Sequence, residues 1–172
     1  MSDALIRRFD RASMLLLLLW AGAGLGFGAL APLLFAKLPS RDLAGQIAGA
    51  MVGRLDTLAW GAFLLPVILS YGSRWMGELE EGPIGPAMLW ALAALIPILL
   101  TLLSATLVSP RLAQLRAQMA GPVEALALDN PLRAAYARNH QISNIAFFVR
   151  LALALVLGLT VERLPRPGAK TA

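Results

Sequence analysis

The chain of 172 residues contains no cysteine, and its single histidine is His140. Without thiols it can form no disulfide, no thiolate metal site and no cysteine nucleophile. One imidazole per subunit also excludes a bis-histidine haem and a multi-histidine zinc site, unless a symmetric oligomer brings two copies together. These two absences remove several classes of enzyme and metalloprotein.

Charge is also scarce. Charged residues make up 15% and hydrophobic residues 58% of the chain, and the mean hydropathy is +0.69, whereas soluble domains are about one quarter charged. The net charge of +5 comes from Lys and Arg residues that flank apolar segments, not from a basic patch interleaved with aromatics as in nucleic-acid-binding proteins. We therefore expect a membrane protein surrounded by the lipid bilayer, with no nucleic-acid partner.

Four apolar segments are long enough to cross a hydrocarbon core about 30 Å thick, which takes about 20 helical residues. They run over residues 12–36, 47–71, 84–108 and 142–164. The sequence therefore predicts a single all-α membrane domain, a four-helix bundle of antiparallel up-and-down spans with both termini on one side. Pro110 and Pro131 predict short helical turns in the long third loop, since proline suits the first turn of a helix.

The orientation of the bundle does not follow from a simple count, because Lys and Arg are shared evenly between the two faces. Arg7, Arg8 and Arg11 nevertheless cluster just before the first span. Since the first helix usually dominates insertion and basic residues stay inside, this cluster favours cytoplasmic termini.

Glycines recur at four-residue spacing in the first two spans: Gly22 and Gly26 in the first, and Gly45, Gly49 and Gly53 at the start of the second. Small residues at this spacing let two helix backbones approach closely in lipid. We expect helices one and two to pack tightly through these faces. Alternatively, the same faces could hold a second copy of the chain or a partner membrane protein.

Charged and polar residues mark one candidate site. Arg150 lies inside the fourth span, where an unpaired charge costs about 2.5 to 3.5 kcal/mol on insertion scales. Asp56 is the only acidic residue well inside a span and lies near the same membrane face, so we expect the two to pair. His140, Ser143 and Asn144 precede Arg150 on one helical stripe. The sequence thus predicts a polar pocket that binds an ion or an anionic group.

Alternatives to this pocket remain open. The charges could merely lock helix two to helix four, or Arg150 could reach the lipid headgroups. Arg54 could replace Arg150 as the partner of Asp56. His140 could be a proton-accepting switch or an interfacial hydrogen-bonding group. It is also the only candidate metal ligand, because the methionines show no repeated spacing suited to copper.

No catalytic motif is present: the chain has neither a glycine-rich phosphate loop nor a nucleophile elbow. We expect no enzymatic activity, and the sequence implies no cofactor. The leading interpretation is binding or permeation of a small ion or solute. The alternative is a scaffold or subunit that holds partner membrane proteins through its glycine faces, and an enzyme acting on intramembrane substrates ranks third.

Short motifs along nearly the whole chain resemble the family of transmembrane protein 205 and a bacterial four-span domain of unknown function. The motifs are Trp20 with Gly26 and Phe27, Pro32 to Phe35, Leu38-Pro39, Ser109-Pro110-Arg111, and His140 followed by Ser143-Asn144. Relatives commonly place a glycine directly after the histidine, where this chain has Gln141.

The resemblance implies a four-span protein, by analogy in the inner membrane of a bacterium, with no settled activity. The vertebrate member is associated with resistance to platinum drugs, which implies handling of metal complexes or membrane traffic. A more distant likeness to copper-resistance membrane domains points the same way. Within the resemblance, Pro39, Ser109, Pro110 and Arg111 form a loop motif. Function transfers less readily than fold.

Overall fold

A computed structural model describes residues 2–75, 85–119 and 121–164, and regular structure within them is entirely helical. The helices are α1 (Asp3–Lys37), α2 (Arg41–Pro66), α3 (Pro86–Leu103), α4 (Ser109–Ala117) and α5 (Pro131–Thr160). Wider π-helical turns extend α2 over Val67–Tyr71 and join α3 to α4 over Ser104–Val108. Short 3-10 turns cover Val123–Ala125 and Val161–Arg163.

Within the described residues, four helical runs are long and apolar enough to cross a membrane: Asp3–Lys37, Arg41–Tyr71, Pro86–Ala117 and Pro131–Arg163. Large apolar side chains cover their outer surfaces, as Leu19, Leu58 and Leu107 illustrate. Such a surface suits lipid, where each helix satisfies its own backbone hydrogen bonds. The predicted all-α four-helix bundle is confirmed, and the chain is an integral membrane protein.

Local sequence explains where two of the helices begin. Ser40 precedes α2, and its Oγ accepts a hydrogen bond from the Leu43 backbone N–H at 3.1 Å. Asn130 precedes α5, and its Oδ1 accepts from the Leu132 N–H at 2.9 Å. Each side chain satisfies a backbone donor that has no partner inside the helix. Pro131 follows Asn130 at the first helical position, where its fixed φ is favourable.

The helical turns predicted in the third loop are present, but as extensions of the spans. α4 follows the π-helix at Ser104–Val108 without a break, and α5 runs continuously from Pro131 to Thr160. The start of α5 is rich in alanine and arginine and contains neither glycine nor a second proline, so nothing ends the helix before the span. The third loop therefore shrinks to residues 118–130.

Two tryptophans connect neighbouring helices through the core. On α1, Trp20 packs edge-to-face on Phe63 of α2 with ring centroids 5.1 Å apart, and its Nε1 donates to the Leu55 carbonyl at 2.9 Å. On α3, Trp90 donates to the Leu157 carbonyl of α5 at 3.2 Å. These bonds tie α1 to α2 and α3 to α5.

α1 and α2 pack against each other, as predicted, but the prediction that the glycine faces form this contact is wrong. A Cβ would meet no heavy atom within 4 Å at any of the predicted positions: Gly22, Gly26, Gly45, Gly49 and Gly53. Gly45, Gly49 and Gly53 are all exposed on α2, so no other helix of the described residues packs closely against them.

Glycines lie against a neighbouring helix instead between α1 and α5. A Cβ on Gly24 would lie 3.2 Å from Leu151 Cδ1, and one on Gly158 would lie 3.0 Å from Leu18 Cδ2. Both distances are tighter than ordinary packing, so a side chain at either position requires the neighbouring leucine to shift by a few tenths of an ångström.

Candidate functional site

An ion pair joins α2 to α5 inside the bundle. Arg150 Nη1 donates to Asp56 Oδ1 at 2.6 Å, and the exposed fractions of the two side chains are 1% and 12%. The predicted pairing of these residues is confirmed. Separating α5 from α2 would leave each charge buried without its partner, which is costly. The ion pair therefore holds the two helices together.

Three further contacts hold the Arg150 guanidinium. Its Nη1 also donates to Thr101 Oγ1 at 3.3 Å, and its Nε donates to the Ala146 carbonyl at 3.3 Å. Its Cζ lies 6.0 Å from the centroid of the Trp20 ring, at the outer limit of a cation–π contact. Thr101 donates its own hydrogen to the Pro97 carbonyl at 2.8 Å, so its oxygen faces Arg150 as an acceptor.

Ser104 provides a buried hydroxyl on the same helical run as Thr101. It lies one turn beyond Thr101 along α3, begins the π-helical segment and is 3% exposed. Within the described residues its Oγ has no hydrogen-bond partner. An unsatisfied buried hydroxyl costs about 1 to 3 kcal/mol, and π-helical turns occur often at functional sites. We refer to Asp56, Thr101, Ser104 and Arg150 as the polar cluster.

The other predicted pocket residues lie apart from the ion pair. His140 and Asn144 are exposed and Ser143 is half-buried. His140 stacks on Tyr136 with ring centroids 6.1 Å apart, and ten residues of helix place it about 15 Å from Arg150 along α5. The stripe is buried only from Phe147 onward, because the first half of α5 extends past the centre of the bundle.

The remaining predicted positions are exposed. Pro39 lies between α1 and α2, and Ser109, Pro110 and Arg111 form the first turn of α4. Arg54 is exposed on α2, and Asp56 pairs with Arg150 rather than with it. The loop motif therefore lies on the surface, whereas the Asp56–Arg150 ion pair is buried.

A second buried ion pair escaped the sequence analysis. Arg74 donates to both carboxylate oxygens of Asp10, at 2.8 and 2.6 Å, and to the Ser70 carbonyl at 2.7 Å. Ser70 Oγ donates to Ser13 Oγ at 2.8 Å. We refer to these four residues as the second cluster. Asp10, Ser13 and Leu17 fall on one helical face, which is the signal that could have revealed it.

No group of three or more His, Cys, Asp or Glu side chains that could hold a metal ion occurs in the described ranges. The polar cluster contributes a single carboxylate, on Asp56, and Arg150 already engages that carboxylate. The arrangement therefore offers hydrogen-bond donors and one buried positive charge to a ligand, rather than a set of metal ligands.

Comparisons with protein-family models, with curated proteins and with solved structures found no match. The resemblance to the transmembrane protein 205 family therefore stays a prediction, and any role of the polar cluster must be argued from its geometry.

Proposed function

We propose that this integral membrane protein binds, or allows the passage of, a small ion or solute at the polar cluster. The observation that carries the proposal is a fully buried arginine, Arg150, with the unpaired hydroxyl of Ser104 one turn from its Thr101 contact. Ionisable groups inside membrane spans are costly, and they often mark ligand or ion pathways. A buried hydroxyl without a hydrogen-bond partner in the protein is likewise suited to bind an ion or a water molecule.

Access to the cluster would come from the face that carries the first and third loops. α3 and α5 run in opposite directions, so Ser104 lies on the side of Arg150 that leads toward the first half of α5. Half-buried Ser143 lies on that part of α5, and exposed His140 lies beyond it. The hydroxyl groups of Ser104 and Ser143 would give a polar solute partners between the loop face and Arg150.

The proposal includes the orientation of the chain in the membrane and the class of ligand that it binds. The Arg7, Arg8 and Arg11 cluster supports cytoplasmic termini, and the resemblance supports a bacterial inner membrane. Metal complexes are a possible ligand by resemblance alone. The chemistry of the polar cluster supports an ion or solute bound through hydrogen bonds, because soft metals prefer thiolate, thioether or imidazole ligands.

A ligand-dependent thermal-shift screen of the purified chain in detergent tests the proposal. The ligands are copper, nickel, zinc, platinum complexes, haem and common anions. A ligand at 100 times its Kd stabilises the folded state by about 2.7 kcal/mol. We expect a shift in wild type that weakens in Ser104→Ala and survives in the control His140→Ala, since His140 is remote from Arg150. The absence of any shift in well-folded wild type would overturn the proposal.

A scaffold is the second candidate, and the outward glycine stripe favours it. The four-residue spacing continues beyond Gly53 through Thr57 and Gly61, and all of these residues are exposed. Small residues on an outer helix face allow another membrane helix to pack closely. The stripe is therefore available to a second copy of the chain or to a partner membrane protein.

Single-cysteine cross-linking in bilayers tests the scaffold, because the natural chain has no cysteine to interfere. Gly49→Cys lies on the stripe, and Leu58→Cys is an exposed control on another face of α2. A scaffold predicts cross-linked species with Gly49→Cys and none with Leu58→Cys. Equal cross-linking of both variants, or of neither, would count against a specific interface.

A further inference from the structure

We propose that Arg150 is the binding group for a small monovalent anion of the carboxylate type, and that Asp56 is the internal counterion which this anion displaces. The inference rests on the function proposed above and names the ligand class. Three observations support it. Asp56 accepts a hydrogen bond from only one guanidinium nitrogen of Arg150, the Ser104 hydroxyl is unpaired, and Arg150 is more deeply buried than Asp56.

One of the three guanidinium nitrogens of Arg150, Nη2, makes no hydrogen bond within the described residues. The hydrogen bonds that are present use Nε and Nη1. The second cluster shows the fuller arrangement, since Arg74 donates from two nitrogens to both carboxylate oxygens of Asp10. Arginine and carboxylate match best through two parallel hydrogen bonds. Arg150 therefore retains donor capacity that Asp56 does not use.

Ser104 supplies a second hydrogen-bond donor, from a different helical run than Arg150. The Thr101 hydroxyl gives its hydrogen to Pro97 and accepts from Arg150. The Ser104 hydroxyl, one turn further along the same helix, keeps its hydrogen unengaged. A bound acceptor between Arg150 and Ser104 would satisfy both residues, and in a buried setting this offsets the cost of leaving them unpaired.

The sign and charge of the ligand follow from the same groups. A cation would need free carboxylate or carbonyl oxygens, but the one carboxylate of the polar cluster already neutralises Arg150. A divalent anion would leave an uncompensated buried charge. A monovalent anion preserves the balance when Asp56 rotates out. We assign the displacement to Asp56, because Arg150 has three further contacts and 12% of the Asp56 side chain is exposed against 1% for Arg150.

Formate is the probe, because it reproduces the carboxylate group that it would replace. We compare formate, nitrate and chloride with bulky gluconate at constant ionic strength, and measure the Tm of the full chain in detergent. Asp56→Asn leaves Arg150 without its counterion. We expect formate to stabilise Asp56→Asn at a concentration at least tenfold lower than wild type requires. The double variant Asp56→Asn/Arg150→Gln should show no shift specific to formate.

Asp42→Asn is the matched control, because it removes the same charge from a partly exposed ion pair with Arg116. Its response to formate should equal that of wild type. If well-folded Asp56→Asn responds equally to formate and gluconate, the inference is wrong. A response to formate that persists in the double variant would also overturn it.

A second measurement covers the case in which Asp56→Asn does not fold. Trp20 lies beside the Arg150 guanidinium, so its fluorescence reports displacement of the ion pair. Titration of wild type with formate should change this signal saturably, and Ser104→Ala should weaken apparent binding at least threefold. Trp20→Phe should remove the signal.

The outcomes of these titrations separate the inference from the function on which it rests. If formate causes no saturable change in wild type, the anion inference fails. If the thermal-shift screen nevertheless finds a cation or neutral solute whose binding depends on Ser104, the proposed site stands and only the ligand class is wrong. If no ligand binds, both fail.

Discussion

Replacing Arg150 alone should destabilise the bundle far more than replacing Arg150 and Asp56 together. Arg150→Met removes the guanidinium and leaves the Asp56 carboxylate buried without its 2.6 Å partner. Loss of one member of a buried ion pair typically costs about 3 to 5 kcal/mol. The bonds from Arg150 to Thr101 and Ala146 disappear as well, so we expect a loss of about 3 kcal/mol or more.

The double variant Arg150→Met/Asp56→Asn carries no buried charge. Replacement of a whole buried pair by neutral side chains is often close to neutral in stability, and insertion no longer bears the cost of about 2.5 to 3.5 kcal/mol for a charge in the span. We expect the double variant to lie within about 1 kcal/mol of wild type, which makes the two substitutions strongly coupled.

Reversible unfolding in mixed micelles of a denaturing and a mild detergent, followed by far-ultraviolet circular dichroism, measures these free energies. The reasoning would be refuted if Arg150→Met stayed within about 0.5 kcal/mol of wild type, the range of ordinary surface substitutions. A double variant whose loss equals the sum of the two single losses would refute it equally.

Three further predictions use the same unfolding assay. Gly158→Leu should lower the free energy of unfolding by about 1 to 3 kcal/mol, because it overpacks the contact between α1 and α5. Gly49→Leu should leave the stability of the monomer unchanged. A larger loss for Gly49→Leu than for Gly158→Leu would contradict the described packing. Trp20→Phe should cost about 0.6 kcal/mol through its lost hydrogen bond, and exposed Trp75→Phe should cost nothing measurable. Arg74→Gln should cost about 3 kcal/mol, and a loss that disappears in high salt would show that the second cluster is solvated.

The spans and the pairing of Asp56 with Arg150 could be predicted from the sequence for physical reasons. A helix must have about 20 apolar residues to cross the hydrocarbon core, so long apolar runs are recognisable as spans. A charge inside a span is costly unless it is paired, so an arginine there requires a partner. No comparable penalty determines the direction of a glycine face. The stripe from Gly45 to Gly53 therefore suggested an internal contact, although it faces outward.

Other parts of the candidate site depend on tertiary packing and could not be read from spacing. His140 shares a stripe with Arg150, but the stripe does not reveal where α5 leaves the bundle. Arg74 lies beyond the apolar run of α2, so it resembled a loop charge until the fold brought Asp10 beside it. Ser104 was recognisable as a hydroxyl near Pro97, but its lack of a hydrogen-bond partner depends on the packing around it.

The most direct test of this account is a solid-state NMR distance measurement on the chain in lipid bilayers. Arginine is labelled with nitrogen-15 and aspartate with carbon-13, and Asp56→Asn identifies the Asp56 carboxyl signal by its disappearance. The 2.6 Å contact between Arg150 Nη1 and Asp56 Oδ1 predicts strong dephasing of that signal by a guanidinium nitrogen roughly 3.5 Å from the carboxyl carbon. Arg150→Met should abolish the dephasing. An Asp56 signal that no arginine nitrogen dephases, or one that stays dephased in Arg150→Met, would contradict the account.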